Sequence, residues 1–221
     1  MLDTRGKTAL CGFGVILRQA AESDETIKAT VDAYNAKIDA KEKMSKNEIF
    51  YFGTLDVVRA AVMSDRCDDI TLYTGNDDNI VIDLLTKYRF EKDGKTVERG
   101  FDGGLLGHWS VWTKKAVELF ERIKAEKDKN EIPTELLTLA AEVTDTNSAF
   151  FDTAHTFKGC IAGLHEILRR QGLMKNIYCL NPDETLSEGQ AAELDRVWKM
   201  YPHLNDDEFI RANVENWKKN I

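Results

Sequence analysis

The chain has 221 residues, of which 43% are hydrophobic and 31% charged, with only 3 prolines. This composition excludes collagen-like, low-complexity and wholly disordered proteins, and the length suits one domain or one domain with an appendage. The formal net charge of -8 argues against a general binder of nucleic acid or anionic membranes. Because no apolar run approaches the ~20 residues of a membrane span and no signal peptide is recognised, we expect a cytoplasmic protein without a membrane partner.

The cysteine pattern predicts neither a disulfide framework nor a zinc site. Four cysteines lie far apart inside apolar segments, at Cys11, Cys67, Cys160 and Cys179. None forms a C-x-x-C pair, and none lies near a histidine at zinc-ligand spacing. We therefore expect buried free thiols in a reducing cytosol, and no metal centre.

The first third of the chain predicts two strands and two helices. The strands are predicted over residues 8–16 and 48–52, and the helices over 23–46 and 54–64. Ile27, Val31, Tyr34 and Ile38 form a narrow apolar stripe on the first helix, and charged residues cover its other faces. Thr54 is a predicted N-cap of the second helix.

The middle of the chain predicts a regular alternation of strands and helices. We expect strands over 70–74 and 101–107, helices over 78–89 and 110–124, and a hairpin over 90–99 that turns at Asp93-Gly94. Such alternation favours a parallel sheet with right-handed crossovers, in which ligands bind at the carboxyl ends of the strands. Position alone therefore selects two loops, Thr74 to Asn79 and Gly107 to Ser110.

The remaining chain is predicted to be helical. One helix begins at Pro133-Thr134, and an amphipathic helix runs from Cys160 to Gln171 with Gly172 as its stop. Two capping boxes, Ser187 with Gln190 and Asn205 with Glu208, predict the starts of the last two helices.

Five segments, in this order, resemble the dihydrodipicolinate synthase / N-acetylneuraminate lyase family of class I aldolases, and the resemblance covers residues 54–221. The segments are TLDVVRA (54–60), LYTGNDDNIVIDLL (72–85), GGLLGHWSVWTKKAVEL (103–119), FKGCIAGLHEILRRQGL (157–173) and LSEGQAAELDRVWKMYPHLNDDEF (186–209).

The resemblance implies an α/β fold: a partial or truncated (β/α)8 TIM barrel with a helical C-terminal extension. Residues 54–132 would form the last βα units of the barrel, with 70–74 as the seventh strand and 101–107 as the eighth. Residues 133–221 would form the helical region packed on the barrel, and residues 1–53 are an unmatched, largely helical segment. Since a complete barrel takes ~250 residues, an incomplete one would leave strand edges open, and we expect a homo-oligomer.

The resemblance also implies a reaction. Enzymes of this family form a Schiff base between a lysine at the end of the sixth strand and a 2-oxo acid, usually pyruvate, without another cofactor. Lys43 is the candidate for this lysine, with Lys46 nearby, and the competing interpretation is that both are exposed helix lysines. The family's proton-relay tyrosine and its carboxylate-binding loop have no match in this chain.

The two selected loops supply the other candidate site residues. Thr74, Gly75, Asn76 and Asp77 would bind substrate after the seventh strand, or else form a plain strand-to-helix turn with an aspartate N-cap. After the eighth strand, His108 is a candidate acid or base, and Gly107 and Trp109 would contact substrate. The alternative there is an aromatic plug that closes the barrel.

Three hypotheses for function result. The first is an aldolase-type lyase that acts on a small 2-oxo acid through a lysine Schiff base. The second is a non-catalytic, oligomeric relative with an interaction or regulatory role. The third is a different enzyme on the same scaffold that uses His108 and Asp77 for acid/base chemistry without an imine.

Overall fold

The structure is a computed structural model that describes residues 48–51, 70–105 and 107–219, with the backbone alone described at 48–51, 70, 71 and 108. The elements predicted over 8–16, 23–46 and 54–64, and the residues Cys11 and Cys67, lie outside the described residues. The chain divides into two compact units, residues 1–105 and 106–221.

A parallel sheet organises the described part of the first unit. It contains β1 (Glu48–Tyr51), β2 (Ile70–Thr74) and β5 (Gly103–Gly104), in the order β1-β2-β5. Tyr51 pairs with Tyr73, and Tyr73 pairs with Gly103, in parallel register on both sides of β2. The strand predicted at 70–74 and its parallel environment are confirmed, whereas the strand predicted over 101–107 is reduced to two residues.

A short helix and a hairpin follow β2. Helix α1 (Ile80–Leu85) ends where Thr86 adopts an extended conformation, so the helix is shorter than the predicted 78–89. Tyr88 was predicted to be helical, and this was wrong, because it begins β3 (Tyr88–Lys92), which pairs antiparallel with β4 (Lys95–Arg99). The turn residues Asp93 and Gly94 both have positive φ, as a two-residue hairpin of type I′ requires. The predicted hairpin is confirmed.

Apolar side chains from β2, α1 and the segment after β4 form the core of the first unit. These side chains are almost fully buried, and they are Leu72, Ile80, Val81, Leu84 and Phe101. Phe101 also packs edge-on against the ring of Tyr88 at a centroid distance of 6.1 Å. The sheet, the helix and the hairpin therefore share one apolar centre.

The second unit is helical. After a 3-10 helix (Gly107–Ser110) it contains α2 (Thr113–Glu126), α3 (Glu135–Phe151), a 3-10 helix (Thr153–His155), α4 (Cys160–Arg170), α5 (Gln190–Met200) and α6 (Asp207–Lys218). The helices predicted over 110–124, from 133 and over 160–171 are confirmed, with the first beginning three residues later than predicted.

The core of the second unit is centred on Trp112, which is 3% exposed. Its ring packs edge-on against Phe150 and Trp198, at centroid distances of 4.9 and 5.4 Å. Val111, Ala149, Ile167, Leu194 and Val197 complete the cluster of buried side chains. Helices α3, α4 and α5 thus converge on one aromatic centre.

The predicted end of α4 and the predicted start of α5 are confirmed, but the capping box predicted at the start of α5 is only half formed. Helix α4 ends at Arg170, and Gly172 follows with φ +75°, the left-handed conformation that favours glycine at this position. Helix α5 begins at Gln190, whose side chain accepts a hydrogen bond from the amide of Ser187, as a capping box requires. The Ser187 hydroxyl, however, donates to Asp152 instead of closing the box.

Helix α6 begins two residues after the predicted cap Asn205, but the predicted capping box does not form, because the side chain of Glu208 makes no hydrogen bond with a described residue. Asn205 accepts a hydrogen bond from the amide of Asp207 at 3.3 Å, which satisfies one free amide at the start of the helix. The neighbouring carboxylate of Asp206 accepts instead from the amide of Lys114, in the first turn of α2. Asp206 is almost fully buried, and it caps an amide that lies 92 residues earlier in the chain.

Candidate functional site

The turn after β2 contains four of the predicted substrate-binding residues. Thr74 is fully buried, and its hydroxyl donates to Asp83 at 3.0 Å and accepts a hydrogen bond from the amide of Asn76 at 3.1 Å. Gly75 and Asn76 are half-buried beside it. The Thr74 hydroxyl is therefore engaged within the protein, whereas the side chains of Asn76 and Asp77 lie at the surface of the turn.

The carboxylate of Asp83 holds this turn in place. It is 5% exposed and accepts hydrogen bonds from three neutral groups: the hydroxyl of Thr74, the amide of Asn79 and the phenol of Tyr88. The Tyr88 contact is 3.1 Å long, and burial together with the Asp83 charge raises the pKa of Tyr88 to about 12. This cluster of neutral donors around a buried carboxylate fixes the carboxyl end of β2.

Asp77 is the residue of the turn that can exchange a proton near neutral pH. Burial, with a smaller contribution from the charge of Asp78, raises the pKa of Asp77 from 3.8 to about 6. A half-buried carboxyl group with such a pKa can act as an acid or a base. The turn thus offers a carboxyl group with a raised pKa and the amide side chain of Asn76, next to the carboxyl end of β2.

The second predicted loop lies in the second unit. A Cβ atom added at Gly107 would lie 2.0 Å from the ring of Phe151, so any larger residue would require that ring to move. Trp109 is half-buried and lines a small, mainly apolar pocket with Trp112, Lys115 and residues of α2, α3 and the turn before α6. His108 lies between them in the 3-10 helix Gly107–Ser110.

The predicted site residues therefore fall into three groups. Thr74, Gly75, Asn76 and Asp77 lie in the first unit, and Gly107, His108 and Trp109 lie in the second. Lys43 lies outside the described residues. That these groups share one pocket stays a prediction.

A polar centre in the second unit was missed by the sequence analysis. Asp152 is 4% exposed and accepts hydrogen bonds from the hydroxyl of Ser187, the amide of Gly159 and the imidazole of His155. The distance to His155 Nδ1 is 2.6 Å, and Gln190 completes the centre by donating to the carbonyl of Gly159. Burial opposes the charge of Asp152 most strongly, but the hydrogen bonds from Ser187, His155 and Gly159 outweigh it and lower the pKa of this carboxyl.

The backbone around this centre is strained. Asp152, Thr156 and Phe157 all have positive φ, between 56° and 64°, which is uncommon for β-branched and aromatic residues. Asp152 is held by the amide of Gly159, just before α4, and by the hydroxyl of Ser187, just before α5. These hydrogen bonds retain the strained conformation of residues 152–157. His155 lies at the surface of this centre with its side chain 42% exposed.

Sequence signals for the two buried aspartates differ in strength. Asp83 lies between Ile82 and Leu84, three residues after Ile80, so it falls on the apolar face of α1 and could have been noticed there. Asp152 directly follows the apolar end of α3, and its sequence position resembles that of any polar residue that ends a helix. Its partners Gly159 and Ser187 come from two later segments of the chain.

Among residues 48–51, 70–105 and 107–219, no group of three His, Cys, Asp or Glu residues is placed to hold a metal ion. Cys160 and Cys179 form no disulfide, as predicted for these two residues, but both are half-buried, so the predicted burial of their thiols was wrong. No helix in the described ranges combines the length and the apolar character that a membrane crossing requires. No family model, no curated protein and no solved structure matches this chain.

Proposed function

We propose that this protein is an aldolase-type lyase related to dihydrodipicolinate synthase, acting on a small 2-oxo acid such as pyruvate. The observation that carries the proposal is the order of the parallel sheet, in which β1, β2 and β5 lie side by side in chain order. Consecutive parallel neighbours of this kind are what the end of a (β/α)8 barrel contains. A polar turn follows β2 at the edge where barrel enzymes bind their substrates.

The proposed reaction begins at a lysine amine. The nitrogen of Lys43 attacks the C2 carbonyl of the 2-oxo acid, and loss of water gives a protonated imine. The imine nitrogen accepts the electron pair when a carbon–carbon bond of the substrate breaks, and it returns the pair when a bond forms. Asp77 and Asn76 are the residues of the first unit proposed to contact the substrate, with Thr74 and Gly75 shaping the turn.

The residues of the second loop have proposed roles in the same reaction. His108 would exchange protons with the substrate, and Gly107 and Trp109 would border the bound molecule. A general acid or base of this kind contributes about 10²- to 10⁴-fold to a rate. The homo-oligomer expected from the sequence, and cytoplasmic residence, are part of this proposal.

Borohydride trapping tests the proposal. The full chain is incubated with pyruvate and sodium borohydride, which delivers a hydride to the imine carbon and makes the link permanent. We expect one adduct per chain, mapped by peptide mass spectrometry to Lys43, and lost in Lys43→Ala. Lys46→Ala is the matched control, and it should retain the adduct. An adduct spread evenly over many surface lysines would contradict the proposal.

A second candidate function is a non-catalytic relative with an interaction or regulatory role, and one observation favours it. Strand β1 lies beside β2 and would be the sixth strand of the proposed barrel. Its residues are Glu48, Ile49, Phe50 and Tyr51. No lysine occurs on this strand, and Lys43 and Lys46 precede its amino end rather than following its carboxyl end. Absence of any borohydride adduct would favour this candidate over the lyase.

A further inference from the structure

The turn that carries Asp77 is closed by the backbone of its own end residues. The amide of Asn79 donates to the carbonyl of Asn76 at 3.1 Å, so residues 76–79 form a β-turn with Asp77 and Asp78 at its two central positions. This hydrogen bond fixes the shape of the turn but does not attach the turn to the rest of the protein. The place at which the turn presents Asp77 therefore depends on what holds its two ends.

The first end of the turn is attached through Thr74. The amide of Asn76 donates to the Thr74 hydroxyl oxygen at 3.1 Å, and that hydroxyl donates to Oδ2 of Asp83 at 3.0 Å. Thr74 is 0% exposed and Asp83 is 5% exposed, so water competes little for the bond between them. Two hydrogen bonds in series thus link Asn76 to the Asp83 carboxylate.

The second end of the turn is attached to the same residue. The side-chain amide of Asn79 donates to Oδ1 of Asp83 at 3.2 Å, and the carbonyl of Asn79 accepts from the Asp83 amide at 2.9 Å. The phenol of Tyr88 also donates to Oδ1, whereas Oδ2 accepts from Thr74. The two oxygens of one buried carboxylate therefore hold opposite ends of the turn.

We infer that Asp83 is a positioning residue of the proposed lyase: it holds both ends of the turn 76–79 and so sets where Asn76 and Asp77 meet the substrate. This inference rests on the function proposed above for these two residues. Because Asp83 is almost fully buried, it acts through the residues that it holds and not by touching substrate. A misplacement of about 1 Å can cost about 100-fold in rate, so the attachment of the turn bears directly on the reaction.

The two oxygens of Asp83 allow a positioning role to be separated from a merely structural one. Thr74→Val and Tyr88→Phe each remove one hydroxyl that donates to Asp83. Thr74→Val also breaks the link from Asp83 to Asn76, whereas Tyr88→Phe leaves both ends of the turn attached. If Asp83 only stabilised the first unit, the two substitutions would have similar effects on the turn.

The apparent pKa of the Asp77 carboxyl, measured by NMR titration, reports whether the turn keeps its place. Burial raises this pKa from 3.8 to about 6 in the parent chain. Thr74→Val should lower the pKa to about 5 or below, because a turn released at one end exposes Asp77 to water. Tyr88→Phe, and the conservative variant Thr74→Ser, should keep the pKa near 6. Equal pKa values in Thr74→Val and Tyr88→Phe overturn the inference.

A substitution at the exposed end of the turn covers the case in which Thr74→Val does not fold. Asn79→Ala removes the donor to Oδ1 and keeps the backbone hydrogen bonds of the turn. It should lower the pKa of Asp77 in the same direction as Thr74→Val, but by less, since the exposed Asn79 side chain is partly replaced by water. An unchanged pKa in Asn79→Ala, when Thr74→Val is unfolded, also overturns the inference.

The rate of borohydride trapping with pyruvate connects the turn to the reaction. Thr74→Val should form the adduct at least about tenfold more slowly than the parent chain, whereas Tyr88→Phe should retain the parent rate. A parent rate in Thr74→Val, together with a lowered pKa of Asp77, would overturn the role of Asp83 in the reaction. Absence of an adduct in the parent would overturn the proposed lyase alone, because the titration of Asp77 still shows whether Asp83 holds the turn.

Discussion

Two buried aspartates, one in each unit, are held by different kinds of donors. Asp83 in the first unit accepts only from neutral side chains, those of Thr74, Asn79 and Tyr88. Asp152 in the second unit accepts from a hydroxyl and a backbone amide, and also from the imidazole of His155. The difference shows that a buried carboxylate needs a full set of donors rather than one particular countercharge.

The position of each carboxylate decides what it stabilises. Asp83 lies nine residues after Thr74 and fixes a local turn at the end of β2. Asp152 joins the end of α3 to Ser187, which lies 35 residues later at the start of α5. The first aspartate organises a loop, whereas the second connects helices that are distant in sequence. Loss of Asp152 should therefore affect the whole second unit.

The largest expected effect is that of Asp152→Ala. The substitution leaves the buried donors of Gly159 and Ser187 without an acceptor, and we expect a loss of about 3 kcal/mol from the free energy of unfolding of the second unit. All 4 tryptophans, at positions 109, 112, 198 and 217, lie in this unit, so urea unfolding followed by tryptophan fluorescence reports it selectively. Asp195→Asn, at an exposed position of α5, is the control and should change little.

The lowered pKa of Asp152 also predicts that the stability of the second unit depends on pH in the acidic range. Because the pKa of Asp152 is lowered in the folded chain, its contribution is fully present above the unfolded value of about 3.9. The contribution is lost as the pH falls through the lower pKa of the folded state. Asp152→Ala should therefore unfold with a weaker pH dependence in this acidic range than the parent chain does. Parallel curves for the two proteins would contradict the assignment.

The next largest effect is that of Asp83→Asn. The new amide presents two hydrogens to a site surrounded by donors, so at least one of Thr74, Asn79 and Tyr88 loses its acceptor. We expect a loss of about 1–2 kcal/mol, measured by amide hydrogen exchange in β2, since the first unit contains no tryptophan. Asp93→Asn, in the exposed hairpin turn, is the control, because asparagine also tolerates positive φ there.

A pH-dependent effect of intermediate size is expected at Asp77. Its pKa is raised from 3.8 to about 6, so the folded chain keeps a proton that the unfolded chain releases in this window. The contribution of Asp77 to the free energy of unfolding then decreases as the pH rises from about 4 to about 6. Asp77→Asn should remove that decrease, and carboxyl NMR titration of the parent should give an apparent pKa near 6. Asp78→Asn should lower that pKa without abolishing the shift.

The smallest effect is expected for His155→Ala. The imidazole is 42% exposed, so its hydrogen bond to Asp152 is partly replaced by water, and we expect a loss of about 1 kcal/mol or less. The exposed neighbour Lys158 supplies the control substitution Lys158→Ala. If His155→Ala lowered the free energy of unfolding as much as Asp152→Ala does, the imidazole rather than the neutral donors would be what stabilises the carboxylate of Asp152.

Local signals in the sequence were sufficient for several elements. The Asp93-Gly94 dipeptide specified the hairpin because a type I′ turn needs positive φ at both positions, and Gly172 specified the end of α4. The β-branched and aromatic residues at 70–74 specified β2 because such side chains favour strands. Each of these features depends on residues that are adjacent in the chain.

Features that depend on distant partners could not be predicted in the same way. The Ser187 hydroxyl was expected to cap α5, but it donates to Asp152, and only the packing of α3 against α5 brings these two residues together. Tyr88 continued the apolar pattern of α1, yet the hairpin and the contact with Asp83 place it in a strand. For the candidate site, the sequence selected the turn after β2 but not Asp83, which holds it.

The cap that Asp206 provides for helix α2 has a consequence for synthesis on the ribosome. The first turn of α2 leaves the ribosome early, but the carboxylate that accepts from its Lys114 amide is made 92 residues later. Until then, the amide of Lys114 has only water as an acceptor, whereas the amides of Lys115 and Ala116 donate to the carbonyl of Trp112. This cap of α2 can therefore form only after Asp206 has been made, and a ribosome that stalls before Asp206 would present α2 without its Lys114 cap.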